Sequence, residues 1–322
     1  MSRERVLRHR LAALVMGSVL VATACTSTSE ATETAAPAPV DNGVFVGADG
    51  VATTVGDTSR IVSLTGDITE IIFELGLGES VVAVDITTTY PPEAEDLKSS
   101  GSNVGFGQAL AAESVLRYEP TLVLGDQSIA PTETIEQLRN AGIPVIILKY
   151  QTTLEGVEEK INQVAAILGV PQDGEELAGN VMAQVAAAQE RAAGADAQPR
   201  VAYLYTRGPS VLLLFGQGIP TQAMIEGAGA IDVGAALGDG AIPLTPEALI
   251  SAMPDVIVLP ESGVKGLGGI DALLEIPGIA ETPAGQNRAF LAYDEAYFFN
   301  LGPRVGSALD EFVDDLYPQL SD

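Results

Sequence analysis

The sequence predicts an α/β protein of two lobes, each a mainly parallel sheet flanked by helices, with one long helix joining them. Past residue 42, short β-branched runs alternate with helical periods. One helix-proline-strand unit occurs twice: Glu113-Ser-Val-Leu-Arg-Tyr-Glu-Pro120-Thr-Leu-Val-Leu aligns without gaps on Glu247-Ala-Leu-Ile-Ser-Ala-Met-Pro254-Asp-Val-Ile-Val. Between the two units, Glu175 to Ala193 is Ala-rich, free of proline and high in helix propensity.

Residues 1–25 read as an export signal. Arg3, Arg5, Arg8 and Arg10 form a basic start, and Leu11 to Ala24 is uncharged and mostly apolar, short of the roughly 20 residues a spanning helix needs. Ala22-Thr23-Ala24-Cys25 is similar to the lipobox of bacterial lipoproteins, with Ala22 where a branched aliphatic is usual. That likeness implies lipidation of Cys25 and anchoring to the outer face of the cell membrane. Residues 26–42 are Ser, Thr, Ala, Pro and acid, a flexible tether with an r.m.s. span of about 20 to 25 Å.

The N-terminal lobe is expected over residues 43–170. Val44 to Val46 and Val51 to Val55 form a hairpin around Gly-Ala-Asp-Gly. Arg60 to Leu64 and Val81 to Asp85 are strands on either side of a helix, Ile68 to Leu75, that Gly76 ends. Glu113 to Tyr118 is a short helix before the strand Thr121 to Leu124; Pro131 to Asn140 is a helix, and Val145 to Leu148 a strand. Leu154 to Leu168 is helical, and the connecting helix lies within 171–196, about 28 Å long at 1.5 Å per residue. The C-terminal lobe, 197–322, repeats the grammar with Arg200 to Tyr205, Thr221 to Glu226, Pro246 to Met253, Asp255 to Leu259 and Ala289 to Leu291. A stiff helix between lobes permits only modest closure.

Composition narrows the function. With 16 basic and 43 acidic residues in 322, the formal charge is −27, and no basic stripe exists to neutralise a phosphate backbone, so nucleic acid is not expected as a partner. The one histidine, His9, and the one cysteine, Cys25, both lie at the N-terminus. The predicted body therefore lacks the groups for Ser-His-Asp triads, Cys-His nucleophiles, Cys/His zinc sites or disulfides. Ser262-Gly-Val-Lys265 matches Ser-x-x-Lys but reads as a Gly-rich loop without partner motifs; Gly76-Leu-Gly78 and Gly216-Gln-Gly218 lack the third glycine of a dinucleotide fingerprint. An enzyme is not expected.

Several stretches carry a family likeness: Arg60-Ile-Val-Ser-Leu-Thr-Gly-Asp-Ile-Thr-Glu70 with Leu75-Gly-Leu-Gly78, Asp85-Ile-Thr-Thr-Thr-Tyr-Pro91, Asn103-Val-Gly-Phe-Gly-Gln-Ala-Leu-Ala-Ala-Glu113, the segment from Gly268 to Gly285, and Leu301-Gly-Pro-Arg304. From about Gly43 onward the chain resembles the helix-linked, class III substrate-binding proteins of ABC importers, above all the haemin-binding lipoproteins of bacterial haem uptake. The resemblance implies a carrier that takes haem in the cleft between lobes and delivers it to a permease and ATPase complex. A ferric siderophore or a cobalamin-type corrin is the alternative cargo.

Haem needs apolar walls, an axial ligand for iron and partners for two propionates. The resemblance makes Tyr205 an iron ligand, with Arg207 supporting its phenolate. Where the family places Tyr or His after Val104-Gly105, this chain has Phe106, with Gln108 where Arg is common. Either Tyr205 is the sole protein ligand, Phe106 stacks on the ring and water or Tyr90 completes the site, or the cargo is not haem. Arg304, like Arg207, is a candidate for anionic groups of the ligand. Glu70 and Glu226 are implied as the acids, one per lobe, that meet the permease.

Overall fold

The computed structural model describes residues 43–320. The expected signal, the lipidation site Cys25 and the tether lie outside these residues.

The chain enters as an antiparallel hairpin, β1 (Gly43–Val46) and β2 (Ala52–Val55). Four short strands then form a parallel sheet: β3 (Ile61–Ser63), β4 (Val81–Val84), β5 (Leu122–Asp126) and β6 (Val145–Leu148), in the order β4-β3-β5-β6. Every residue of β3, β5 and β6 is buried, as uniformly apolar runs demand when helices cover both faces. The crossovers carry α1 (Gly66–Glu74), α2 (Pro92–Ser99), α3 (Ala112–Leu116) and α4 (Thr132–Asn140).

Next come α5 (Glu155–Ile167) and the connecting helix α6 (Pro171–Ala192), about 33 Å long at 1.5 Å per residue. Proline opens α6 where its missing N–H costs nothing. Ala178, Val181, Val185, Ala188 and Ala192 are buried along one stripe at helical spacing.

The second sheet has the order β10-β8-β7-β11-β12, from β7 (Arg200–Thr206), β8 (Leu212–Phe215), β10 (Ala241–Pro243), β11 (Val256–Pro260) and β12 (Phe290–Tyr293), with the short β9 (Ile231–Asp232) parallel to the start of β7. β8 and β10 run antiparallel, a hairpin extension that sequence periodicity did not reveal. The helices here are α7 (Pro220–Gly227), α8 (Pro246–Ala252), α9 (Glu261–Leu267), α10 (Ile270–Leu273), α11 (Pro283–Asn287), α12 (Glu295–Phe299) and α13 (Val305–Leu316). Ser262 and Lys265 lie on α9 rather than in a loop: the strand ends at Pro260, whose geometry starts a helix, and Lys265 pairs with Glu261 one turn back.

One apolar core crosses the whole described chain. It joins Ile68 and Ile72 of α1, Ile161 and Val164 of α5, the stripe of α6, Tyr203 of β7, and Leu309 and Phe312 of α13. Each sheet has a second, separate cluster on its other face, around Val62 and Val123 in one and Leu204 and Leu259 in the other. Helices α5, α6 and α13 thus form a layer shared by both sheets, and α13 is clipped to α6 by Arg191, which bonds Asp310 and Asp314 at 2.7 Å each.

Candidate functional site

The carboxyl ends of parallel strands face a common space, the usual place for a ligand in open α/β sheets. A cavity of about 190 Å³ lies there, lined by Thr65, Gly66 and Asp67 after β3, Thr87 after β4, Asp126 and Ser128 at β5, and Tyr150 and Gln151 after β6. Pro220 and Phe299 to Leu301 close it from the second half, and Phe106 enters from the loop after α2. Gly66 is needed for this approach, since a Cβ would stand 2.9 Å from the Thr87 carbonyl and 3.2 Å from Asn300 Nδ2. Phe106 is turned outward between two glycines in the left-handed region, Gly105 (φ 86°) and Gly107 (φ 56°), and is 44% exposed.

One wall of the space is ionic. Lys160, 2% exposed on α5, donates to Asp67 and stands 4.0 Å from Asp126. Burial pushes the Asp67 carboxyl up, but the Lys160 ammonium more than offsets this and holds it below the ordinary range. Asp126 goes the other way, raised by burial and by the negative charge of Asp67. The Tyr150 phenol is raised by burial and by both acids. Asp85, 1% exposed at the end of β4, is pushed up to about 6 by burial, against hydrogen bonds from Thr87 N (3.0 Å), Thr87 Oγ1 (2.6 Å) and Thr88 Oγ1 (3.0 Å).

The other wall includes Phe299, backed by an aromatic stack that does not itself line the cavity. Tyr205 stacks on Phe215 (5.1 Å between ring centroids, 12° between planes), Phe215 on Tyr203 (5.2 Å) and Tyr203 on Phe298 (5.8 Å). Phe299, which lines the cavity, is tilted against Phe215 at 5.8 Å. Tyr205 therefore stands beside the cavity, half-buried, at the carboxyl end of β7. Arg207 Nε donates to the Tyr205 hydroxyl at 2.5 Å, and Arg207 Nη2 reaches both carboxylate oxygens of Glu295 at 3.2 Å.

The structure thus brings Tyr205 and Arg207 together and puts Phe106 at the cavity. Gln108 lies in the 3₁₀ turn Gly107–Ala109 beside it. Tyr90 is half-buried beneath the Arg304 guanidinium, 3.9 Å from its ring centroid. Glu70 is 6% exposed, its carboxylate bonded by Arg304 (Nη2 at 3.1 Å, backbone N at 3.0 Å). Arg304 also lies over the rings of Tyr90 and Tyr297, and its Nε is buried without a hydrogen-bond partner among the described residues. Burial raises Glu70, with the arginine opposing. Glu226 is exposed and accepts a bond from Gln222 at 2.9 Å.

Sequence reasoning missed Glu295 and the Lys160 cluster. For Lys160 a signal existed: it falls on the apolar stripe of Val157, Ile161 and Val164, where a charge needs a buried partner. Glu295 had none, because its partner is 88 residues away.

The family model for periplasmic binding proteins matches residues 61–297. The chain belongs to the periplasmic binding protein family. Among solved structures, this family member is similar to the periplasmic heme-binding protein RhuT from Roseiflexus sp. RS-1 (43% identity, 82% of this chain and 100% of that one, TM-score 0.78). It is also similar to the heme-binding protein HmuT (34% identity, 89% and 93%, TM-score 0.80). An uncharacterized ABC transporter substrate-binding lipoprotein, YvrC of Bacillus subtilis, is 27% identical over 81% of each chain. The match to a vitamin B12-binding protein of Vibrio campbellii, 29% identical, spans 52% of this chain and 58% of that protein. The architecture foreseen from sequence, two mainly parallel sheets bridged by a long helix, is that of this family.

Proposed function

We propose that this protein is the extracytoplasmic substrate-binding subunit of an ABC importer, and that it carries haem between its two halves with Tyr205 as the protein ligand to iron. The observation that carries the reading is the Tyr205-Arg207 pair: a phenol at the end of β7, 2.5 Å from a guanidinium nitrogen, beside the aromatic wall of the cleft. The guanidinium donor orients the phenolic oxygen, and a tyrosine oxygen is among the axial ligands that haem iron accepts. Solved variants of HmuT carry single replacements at a tyrosine, at an arginine two positions after it and at a histidine. The spacing of the first two is that of Tyr205 and Arg207. With Phe106 unable to coordinate, water or Tyr90 completes the iron's shell.

The cavity of about 190 Å³ is smaller than the roughly 300–1,000 Å³ of sites that enclose a drug-sized ligand, so haem is held with one edge open to solvent or the halves part to admit it. Ferric haem added to the body without residues 1–42 should give a saturable Soret shift that Tyr205→Phe weakens at least tenfold. No Soret shift, or one that Tyr205→Phe leaves unchanged, overturns the assignment. The alternative cargo is a corrin, supported by the vitamin B12-binding relatives. Saturable cobalamin binding without haem binding decides for it.

We read the N-terminus as a signal with lipidation at Cys25, consistent with the lipoprotein relative. Glu70 being buried, docking to the permease falls to Glu113 and Glu247. They hold equivalent first-turn positions on α3 and α8, both exposed, without a side-chain hydrogen bond or ion pair among the described residues. Glu226 can add to them. Charge complementarity here would govern encounter and orientation. Glu113→Gln with Glu247→Gln should leave haem binding unchanged and cut haem-dependent ATPase activity of the reconstituted importer several-fold. Undiminished ATPase removes this role.

A further inference from the structure

We propose that Glu295 is a positioning residue for Tyr205, acting through Arg207: it holds the guanidinium so that Nε faces the phenolic oxygen and keeps that guanidinium away from carboxylates of the cargo. The inference rests on Tyr205 being the iron ligand. It goes beyond that reading because Arg207 then acts only on the phenol, although an arginine at a cleft mouth would ordinarily be taken as a partner for ligand anions.

The geometry divides the guanidinium between two partners. Its Nε donates to Tyr205 at 2.5 Å, while Nη2 lies 3.2 Å from each Glu295 oxygen. Arg207 is 61% exposed, so nothing but these two bonds and the Tyr205 ring, 5.5 Å from the guanidinium carbon, restrains a long, rotamer-rich side chain. Glu295 is itself fixed. It is the first residue of α12, whose cap Asp294 accepts the Tyr297 backbone N–H at 3.0 Å, and Asp294 also accepts Thr89 Oγ1 from the first half at 3.4 Å. The same helix ends at Phe299 on the cavity. The carboxylate that aims Arg207 therefore sits on the element that bears the aromatic wall and touches the opposite half.

The groups that bear on the phenol are few. Arg207 and Glu295 face it, with Asp294 next to Glu295 and Tyr203 two residues back on β7; the strand paired with it, β8, presents Leu213 and Phe215. Neutralising Glu295 removes the carboxylate that holds Nη2 and frees Arg207 to leave the phenolic oxygen, which then loses a short charge-assisted hydrogen bond.

The test needs no haem at first. In crystal structures of the ligand-free body, wild type and Glu295→Asp should keep Arg207 Nε on the Tyr205 hydroxyl, whereas Glu295→Gln should leave the guanidinium displaced from it. A guanidinium unmoved in Glu295→Gln overturns the proposal. With haem, Glu295→Gln should bind several-fold more weakly with a weaker iron-phenolate absorption band, Glu295→Asp should restore part of both, and Glu295→Gln should add nothing once Arg207 is Gln; an equal effect in both backgrounds also overturns the proposal. Glu295→Gln should also prefer haem to its dimethyl ester more strongly than wild type does, because the freed arginine can reach propionates. If wild type takes up no haem while the crystal structures behave as described, the cargo assignment falls and the positioning role stands.

Discussion

The two halves share a frame and differ in what they hang on it. In each, an arginine at the start of one parallel strand holds carbonyls where the helix before the neighbouring strand ends, in β3 and β5 of the first half and β7 and β11 of the second. Arg60 Nε bonds Tyr118 O and Glu119 O (3.2 and 3.0 Å), and Arg200 bonds Ala252 O through Nε and Nη2 (3.1 and 2.7 Å). The residue after the proline then takes the arginine's backbone N–H, Thr121 in one half and Asp255 in the other. Glu119 (φ 47°) and Met253 (φ 44°), equivalent residues just before Pro120 and Pro254, both sit in the left-handed region. Such detail, repeated at an offset of 134 residues around the prolines and of 140 at the arginines, is what duplication leaves behind.

The difference lies at the cleft. The first half passes from β3 straight into α1 and surrounds the carboxyl ends of its strands with Asp67, Asp126 and Lys160. The second half adds the antiparallel strands β8 and β10 beside β7, and that addition brings Phe215 against Tyr205. A shared frame thus presents an ionic wall on one side and an aromatic wall on the other. The lesson is that repetition preserves what closes the backbone hydrogen bonds, while the strand ends are free to diverge.

The largest way to break the contrast is to remove the lysine. Lys160→Met leaves Asp67 and Asp126 buried without a counter-charge, which should lower stability by about 3–5 kcal/mol in urea denaturation. A loss below about 1 kcal/mol would mean that the ionic wall is dispensable to the fold.

Next in size is a pH effect carried by Asp85. Its carboxyl is pushed up to about 6 in the folded chain, whereas an unfolded aspartate titrates near pH ~3.9. Between these values the folded state binds the extra proton, so stability from this group is present at about pH 4 and falls as pH rises through about 6. Wild type should therefore lose about 2–3 kcal/mol relative to Asp85→Asn between about pH 4 and 7. Asp232, in the second half at the end of the strand that matches β4, is likewise pushed up to about 6 by burial, and Asp232→Asn should show the same trend. Parallel curves for wild type and Asp85→Asn would remove the assignment.

The smallest effect sharpens the shared frame. Glu119→Gly and Met253→Gly each relieve a left-handed side-chain residue, partly offset by the greater freedom of glycine in the unfolded chain, so each should raise stability by about 0.5 kcal/mol. Unequal responses at the two sites would show that the halves no longer hold these turns alike.

Much of this was legible in the residues. Apolar runs such as Leu122 to Leu124 and Val145 to Leu148 announce buried parallel strands, because their composition permits no wet face. The proline-free stretch before Ala193 announces the connecting helix, and equal spacing announces the repeated unit. Tyr205 and Arg207 were visible as a pair because they are neighbours on one strand end.

Other features were not legible. β10 is three residues long and mostly exposed, so neither periodicity nor composition marks it; β8 is a wholly apolar run, Leu212 to Phe215, whose place in the sheet only the fold shows; and α12 is a five-residue helix held by its cap and its contacts. Glu70 reads as an ordinary solvated helix acid until α13 brings Arg304 against it.

By itself the sequence determined the α/β class, the halves and the helix between them, since each follows from local spacing; it was the family resemblance that singled out Tyr205 and Arg207. Only the tertiary structure decided which charges are spent on one another. Glu70 with Arg304, Lys160 with Asp67 and Arg207 with Glu295 are separated by 234, 93 and 88 residues. Pairing over such distances is set by how the sheets and helices pack, not by any pattern along the chain.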